Sequence, residues 1–232
     1  MNISQAASVT RGILSYHAST TKKNLDGYGP LNGQVLRQLL VVSVLNRIPI
    51  SAVVETGTFQ GCSTEFISLL TPSPVHSIEL SPRNHGFSKA RLQSRPHCRL
   101  HLGSSEAVLP KILCQYAGSA KPIFFYLDAH WDDYLPLRDE ITLIAETCPN
   151  FIALIDDFEV PGDGGYQWDD YGAGGQLNFA YVSNLLLRFG LHHWYPKMPS
   201  SEETGARRGS ILLSSSSMAE AVQALPGLRV LA

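Results

Sequence analysis

Short apolar runs alternate along this chain with longer stretches of helical periodicity. The runs at 51–55, 74–79, 98–102, 122–128 and 150–156 read as strands, and 62–70, 83–94, 104–116, 136–147 and 174–189 read as helices. Alternation of this kind predicts an α/β domain, a doubly wound and mostly parallel sheet covered on both faces. Ile123-Phe124-Phe125-Tyr126-Leu127 and Phe151-Ile152-Ala153-Leu154-Ile155 are apolar throughout, as central parallel strands are. Residues 32–47 carry Val35, Leu36, Leu39, Leu40, Val42 and Val44, which predicts a helix with a buried face that stops before Pro49. Two further runs, His192 to Met198 and Gly209 to Ser214, flank a Pro/Ser/Glu-rich loop and predict a C-terminal antiparallel hairpin. The expected sheet is therefore seven-stranded. One domain spans 1–232, with 1–48 as an N-terminal helical lid or extension.

Composition narrows the partners. At 232 residues, 44% hydrophobic, the chain buries an ordinary core. A net charge of −2 gives no basic surplus for nucleic acid. No apolar run approaches the roughly 20 residues of a membrane helix, and the first twenty residues hold no hydrophobic signal core. Cys62, Cys98, Cys114 and Cys148 stand far apart with no CxxC, which argues for a reducing compartment and against a zinc framework. These features predict a cytoplasmic protein with no membrane or nucleic-acid partner. A homo-oligomer stays open.

Candidate chemistry gathers at strand ends. Val53-Val54-Glu55-Thr56-Gly57-Thr58-Phe59-Gln60-Gly61-Cys62-Ser63 reads as a strand, a glycine turn and a helix start, a layout in which a ligand lies against backbone amides. Glu79 ends the second strand, where a carboxylate accepts from both hydroxyls of a ribose. Leu102-Gly103-Ser104-Ser105-Glu106 offers small residues where an adenine ring can approach, and Ser104 also suits a helix cap. Asp128, Asp156 and Asp157 converge if the fourth and fifth strands are neighbours. Three carboxylates at one place suit a hard divalent cation such as Mg²⁺. The glycine-rich stretch 160–175, with Tyr166, Trp168, Asp169, Asp170 and Tyr171, reads as a long functional loop covering a polar acceptor.

The Glu55-x-Gly57-x-x-x-Gly61 pattern resembles the first motif of class I S-adenosylmethionine-dependent methyltransferases, which have a Rossmann-like fold. Tyr126-Leu127-Asp128-Ala129-His130-Trp131-Asp132 and Ile155-Asp156-Asp157-Phe158-Glu159-Val160-Pro161-Gly162 resemble segments of catechol O-methyltransferases and of metal-dependent sugar O-methyltransferases of antibiotic pathways. The resemblance runs from about Val53 to Gly162. It implies methyl transfer from S-adenosylmethionine to a hydroxyl of a small sugar-like or phenol-like molecule, assisted by a divalent cation. Glu55, Gly57, Thr58, Phe59, Gly61 and Ser63 would line the methionine end. Glu79 would hold the ribose, Ser105 and Glu106 would edge the adenine, and Trp131 or His130 would pack on it. Asp128, Asp156 and Asp157 would bind metal, with Asp128 also beside the cofactor and His130 as the candidate base.

Two departures set this chain apart from the catechol enzymes. Ala129 is inserted before His130, and Asp132 stands where their catalytic lysine follows the tryptophan. A non-catalytic S-adenosylmethionine-binding protein of the same fold is the main rival. The Asp128/His130/Asp132 box also resembles arginase-like ureohydrolases, but their second Asp-x-Asp box and Gly-Gly-Asp-His segment are absent. An NAD-dependent oxidoreductase would need GxGxxG, which this loop lacks.

Overall fold

Five parallel strands form the centre of the sheet: β1 (Ala52–Thr56), β2 (Val75–Glu79), β3 (Cys98–Leu102), β4 (Ile123–Leu127) and β5 (Phe151–Asp156). β6 (His192–Pro196) and β7 (Ser210–Ser214) form the antiparallel hairpin, and β7 joins the sheet beside β5. The order is β3-β2-β1-β4-β5-β7-β6-β8. This computed structural model describes residues 1–19, 29–130 and 134–230. The eighth strand, β8 (Leu228–Arg229), is one more than the periodicity predicts. Two residues are too few to carry a period-2 signal.

Both faces of the sheet are covered, as the apolar runs require. In β4, Phe124 and Tyr126 pack with Val41 and Val44 of α2 (Val35–Arg47) and Ile67 of α3 (Cys62–Leu70). Phe125 and Leu127 point the other way, toward Leu109 and Ile112 of α5 (Ser105–Leu113), Ile141 of α6 (Leu137–Thr147) and Val182 of α7 (Phe179–Phe189). Each such side chain contributes about 1.5–3 kcal/mol by leaving water. α7 begins five residues later than its pattern suggests. Gly174 and Gly175 stay in the loop, and Asn178 caps the helix by accepting from the Tyr181 amide at 3.2 Å.

The start of α2 has no cap of its own and is capped from the hairpin loop. Glu203 Oε1 accepts from the Leu36 amide at 3.0 Å, Glu203 Oε2 from the Arg37 amide at 3.3 Å, and Thr204 Oγ1 from the Val35 amide at 2.9 Å. α1 (Ile3–Ala18) lies against α4 (Pro82–Arg91). Gly12 and Gly86 let the two backbones touch: a Cβ on Gly12 would collide with the Arg83 carbonyl oxygen, and one on Gly86 with that of Val9. Lys22, Lys23 and Tyr28, candidate lid residues by sequence position, fall outside the described residues. A last short helix, α8 (Ala219–Gln223), precedes β8, and no helix among the described residues is long and apolar enough to cross a membrane.

Candidate active site at the carboxyl rim

The β1 loop is built inward. The Gly57 and Thr58 amides both donate to Ile78 O, at 3.0 and 3.1 Å, the Gly61 amide to Thr58 O at 2.8 Å, and the Phe59 amide to Glu79 Oε2 at 2.6 Å. The expectation that this turn offers its amides to a ligand is therefore corrected at these four positions. Gly57 has φ 85°, and a Cβ on it would collide with the Asp128 carbonyl oxygen. Its glycine is required by the close approach of the β1 and β4 ends. Phe59 is held at φ 47° and is 48% exposed, a strained and open residue on the rim.

Glu55 is fully buried. One carboxylate oxygen accepts from Thr64 and Ser77, and Oε1 has no partner. Burial pushes its carboxyl up to about 7 against those two hydrogen bonds. Thr58 Oγ1 is bonded to Ser77 Oγ, and Ser63 Oγ accepts from the Leu31 amide at 2.9 Å, so both hydroxyls serve the loop and its neighbour first. Gly61, at φ 79°, starts α3, which has no side-chain cap. Its first-turn amides suit a carboxylate.

Glu79 ends β2 and accepts from Phe59 and, through Oε1, from the Ser81 amide at 2.7 Å. Each oxygen keeps a further lone pair. Ser105 is buried and 3.2 Å from the Tyr134 hydroxyl, while Glu106 is exposed. Trp131 lies outside the described residues. Beneath Ser105, Glu140 is buried, and burial pushes its carboxyl up to about 7.

At the ends of β4 and β5, one ligand atom each from Asp128, His130 and Asp157 lies within 4.8 Å of the others. Asp156 is not part of that group. It is fully buried, with Oδ1 ion-paired to Arg37 and Oδ2 accepting from Tyr126 and, at 3.0 Å, from Asn32 Nδ2. Adjacent strand residues point to opposite faces, and Asp156 takes the inner one. His130 takes the place expected of Asp156. The Tyr126 hydroxyl also reaches Asp128 Oδ2 at 3.3 Å, so it sits between both carboxylates.

Arg208, at the hairpin, donates Nε to Asp157 and Nη2 to Asp169, tying the glycine-rich loop to the cluster. Asp169 also accepts from the Tyr171 hydroxyl, and its amide donates to Asp157 O at 2.9 Å. Four carboxylates (Asp128, Asp156, Asp157, Asp169) thus share two guanidinium groups, so ionising all four would leave two negative charges uncompensated. The cost is visible in the titration of the acids. Burial, then Asp156 and Asp157, raise Asp128 well above the carboxylate range. Burial, then Asp156, push Asp157 up to about 7 against Arg208. Burial lowers His130, which stays neutral, and its Nε2 is buried without a partner. Two carboxyls that a bound cation would ionise and one neutral imidazole fit a divalent cation.

Arg37, Tyr126, Asn32, Arg208 and Glu140 escape a motif search. Arg37 alone carries a signal: with Leu40, Val41, Val44 and Leu45 it completes the buried stripe of α2, an isolated cation on an apolar face.

Solved structures share this architecture. The O-methyltransferase TomG from Streptomyces achromogenes, in complex with S-adenosylmethionine, aligns with TM-score 0.56 and 14% identity over 93% of this chain and 90% of its own. CalS10, an amino pentose methyltransferase from Micromonospora echinaspora, aligns with TM-score 0.53 and 12% identity over 93% and 98%. A SAM-dependent methyltransferase from Aquifex aeolicus aligns with TM-score 0.51 and 12% identity over 88% and 97%. The chain has the class I methyltransferase fold. No family model matches the sequence, and no curated protein matches it. In this fold the ends of β1, β2, β4 and β5 bring Glu55, Glu79, Asp128, Asp156 and Asp157 to one rim, and the hairpin brings Arg208 to it.

Proposed function

We propose that the protein is an S-adenosylmethionine-dependent methyltransferase that acts on a hydroxyl of a small molecule with the help of a divalent cation. One observation carries the reading. The Gly57 turn and the Asp128–His130–Asp157 group are joined by direct backbone contact, so a donor on the turn and an acceptor at the group would lie side by side.

The loop favours a sulfonium amino acid over a dinucleotide. Its Gly57, Thr58, Phe59 and Gly61 amides are spent, whereas a pyrophosphate needs them free. Glu55 keeps an acceptor without a partner, suited to an ammonium, and the uncapped start of α3 suits a carboxylate. Glu79, fixed by two amides, would accept from the ribose, and Ser105 would edge the adenine.

Methyl transfer is an in-line displacement, and the protein's contribution is alignment and exclusion of water. Asp128, Asp157 and His130 would hold the cation, which when bound lowers the pKa of an acceptor hydroxyl. Arg208 and Asp169 would hold the glycine-rich loop over the acceptor. His130 either completes the ligand set or takes the hydroxyl proton, and one variant separates these roles. In His130→Ala, lost Mn²⁺ binding marks a ligand. Retained Mn²⁺ binding with lost turnover marks a base.

The test is calorimetry with S-adenosylhomocysteine, with and without Mg²⁺. We expect binding of the nucleoside without the ion and a separate ion-binding isotherm that Asp157→Asn weakens. No heat with S-adenosylhomocysteine would refute the cofactor assignment.

A further inference from the structure

The net charge of −2 averages over a strong asymmetry. From Leu80 to Ser105 the chain carries Arg83, Lys89, Arg91, Arg95 and Arg99 and no acid, and residues 1–19 carry Arg11 and no acid. The fold brings these two stretches together, because α1 lies along α4. Arg91 is buried and turned onto Glu65. Arg11 on α1 and Arg83 and Lys89 on α4 are exposed, and none of the three forms an ion pair among the described residues.

α1 is apolar on two sides. A capping box fixes its start: Asn2 Oδ1 accepts from the Gln5 amide at 2.9 Å, and Gln5 Oε1 from the Asn2 amide at 3.0 Å. Gly12 and Tyr16 face α4, where Tyr16 packs on the Phe87 ring. Ile3, Ala7, Leu14 and Ala18 recur at the helical period on the opposite side and are all exposed, Ile3 by 90% and Leu14 by 62%. Arg11 stands one turn from both Ala7 and Leu14.

An apolar helix face edged by unpaired cations suits the surface of an anionic bilayer, where apolar side chains enter the acyl boundary and cations meet the headgroups. We propose that the α1–α4 flank docks on an anionic phospholipid surface, with Ile3 and Leu14 inserted and Arg11, Arg83 and Lys89 on the headgroups. A nucleic acid would be met by cations and stacking aromatics, and the outward side chains here are aliphatic. A second copy placed symmetrically would set like charges against each other with no acid on α1 or α4 to relieve them. The expected absence of a membrane partner rested on net charge and on spanning length, and neither senses a one-sided surface. Docking there does not depend on the reaction at the rim.

The full chain is sedimented with vesicles of phosphatidylcholine alone and of phosphatidylcholine with about 30% phosphatidylserine. Binding to the anionic vesicles alone is expected, and raised salt should weaken it. Arg11→Glu, Arg83→Glu and Lys89→Glu should each lower the partition coefficient at least roughly fivefold. Leu14→Ser should lower it about tenfold, through the loss of one inserted leucine. Lys197→Glu, an exposed position at the far end of the sheet, should leave it unchanged. All these positions are exposed, so circular dichroism should stay native. No binding to anionic vesicles, equal binding to both vesicle types, or binding untouched by the Arg11, Arg83 and Lys89 reversals would overturn the proposal. So would a dimer in ultracentrifugation that Leu14→Ser splits, which would give the face to a second copy. Tighter binding of a single-stranded oligonucleotide than of the vesicles, unchanged by Leu14→Ser, would overturn it as well.

Discussion

Arg37 and Asp156, 119 positions apart in sequence, form a buried ion pair at the join of α2 and β5. The pair is more than a contact between two charges. Through Asp156 it orients Tyr126, which reaches Asp128, and through Nη2 it fastens the start of β7. Removing one partner leaves an uncompensated buried charge. Arg37→Met is expected to lower unfolding stability by about 3–5 kcal/mol in urea, and Arg37→Met/Asp156→Leu to recover part of it. Equal losses in the single and double variants would show that the pair is not the source.

Asp157 and Asp156 should separate in cation binding. Asp157→Asn replaces a carboxylate that a cation would ionise with a neutral amide, so Mn²⁺ affinity, followed by electron paramagnetic resonance, should fall at least tenfold. Asp156→Asn should act mainly on stability, because its oxygens already serve Arg37, Tyr126 and Asn32.

Glu55 sets a pH dependence on the donor side. Its carboxyl, pushed up to about 7 by burial, is half protonated near neutrality. The ionised form attracts an ammonium and the protonated form does not, so S-adenosylmethionine affinity should rise as pH increases through about 7. Glu55→Gln should flatten that profile in calorimetry at pH 6, 7 and 8.

His76 gives a stability signature remote from the rim. It is fully buried, hydrogen-bonded to His101 Nε2 at 3.0 Å and to the Tyr116 hydroxyl at 2.8 Å. Burial, then His101 and Arg99, lower it from 6.5 to about 4. Between those values the unfolded chain binds the proton more tightly, so stability falls as pH drops from 6.5 to 4, by at most about 1.4 kcal/mol per pH unit for this group. The pH slope of the melting temperature should be shallower in His76→Phe than in the parent. Identical slopes would remove His76 as the cause.

Gly57→Ala should disturb both halves of the rim. Its methyl group meets the Asp128 carbonyl, and φ 85° is costly for alanine. A lower melting temperature together with weaker Mn²⁺ binding is expected. A change in stability alone would argue that the turn and the acid cluster move independently.

What the sequence disclosed follows the physics of each element. Parallel strands buried on both faces advertise themselves as apolar runs, so β4 and β5 were legible, and so were the acids at their ends. The exchange of Asp156 for His130 was not legible, because one residue of register decides which face a side chain takes. Nor were Arg37 and Arg208, whose partners come together only once the sheet is assembled. The two-residue β8 lies below the length at which periodicity speaks. The glycine of the β1 turn was visible while its reason was not: spacing marks a tight turn, but only coordinates tell whether a ligand or another strand end fills the space beside it.

Gly12 and Gly86 seat the amino-terminal helix backbone to backbone on its neighbour, with the Tyr16 ring edge-on to Phe87 beside them. Such a joint has no slack. A single methyl group at either position would act as a wedge, prising the helix outward and leaving the sheet beneath it undisturbed.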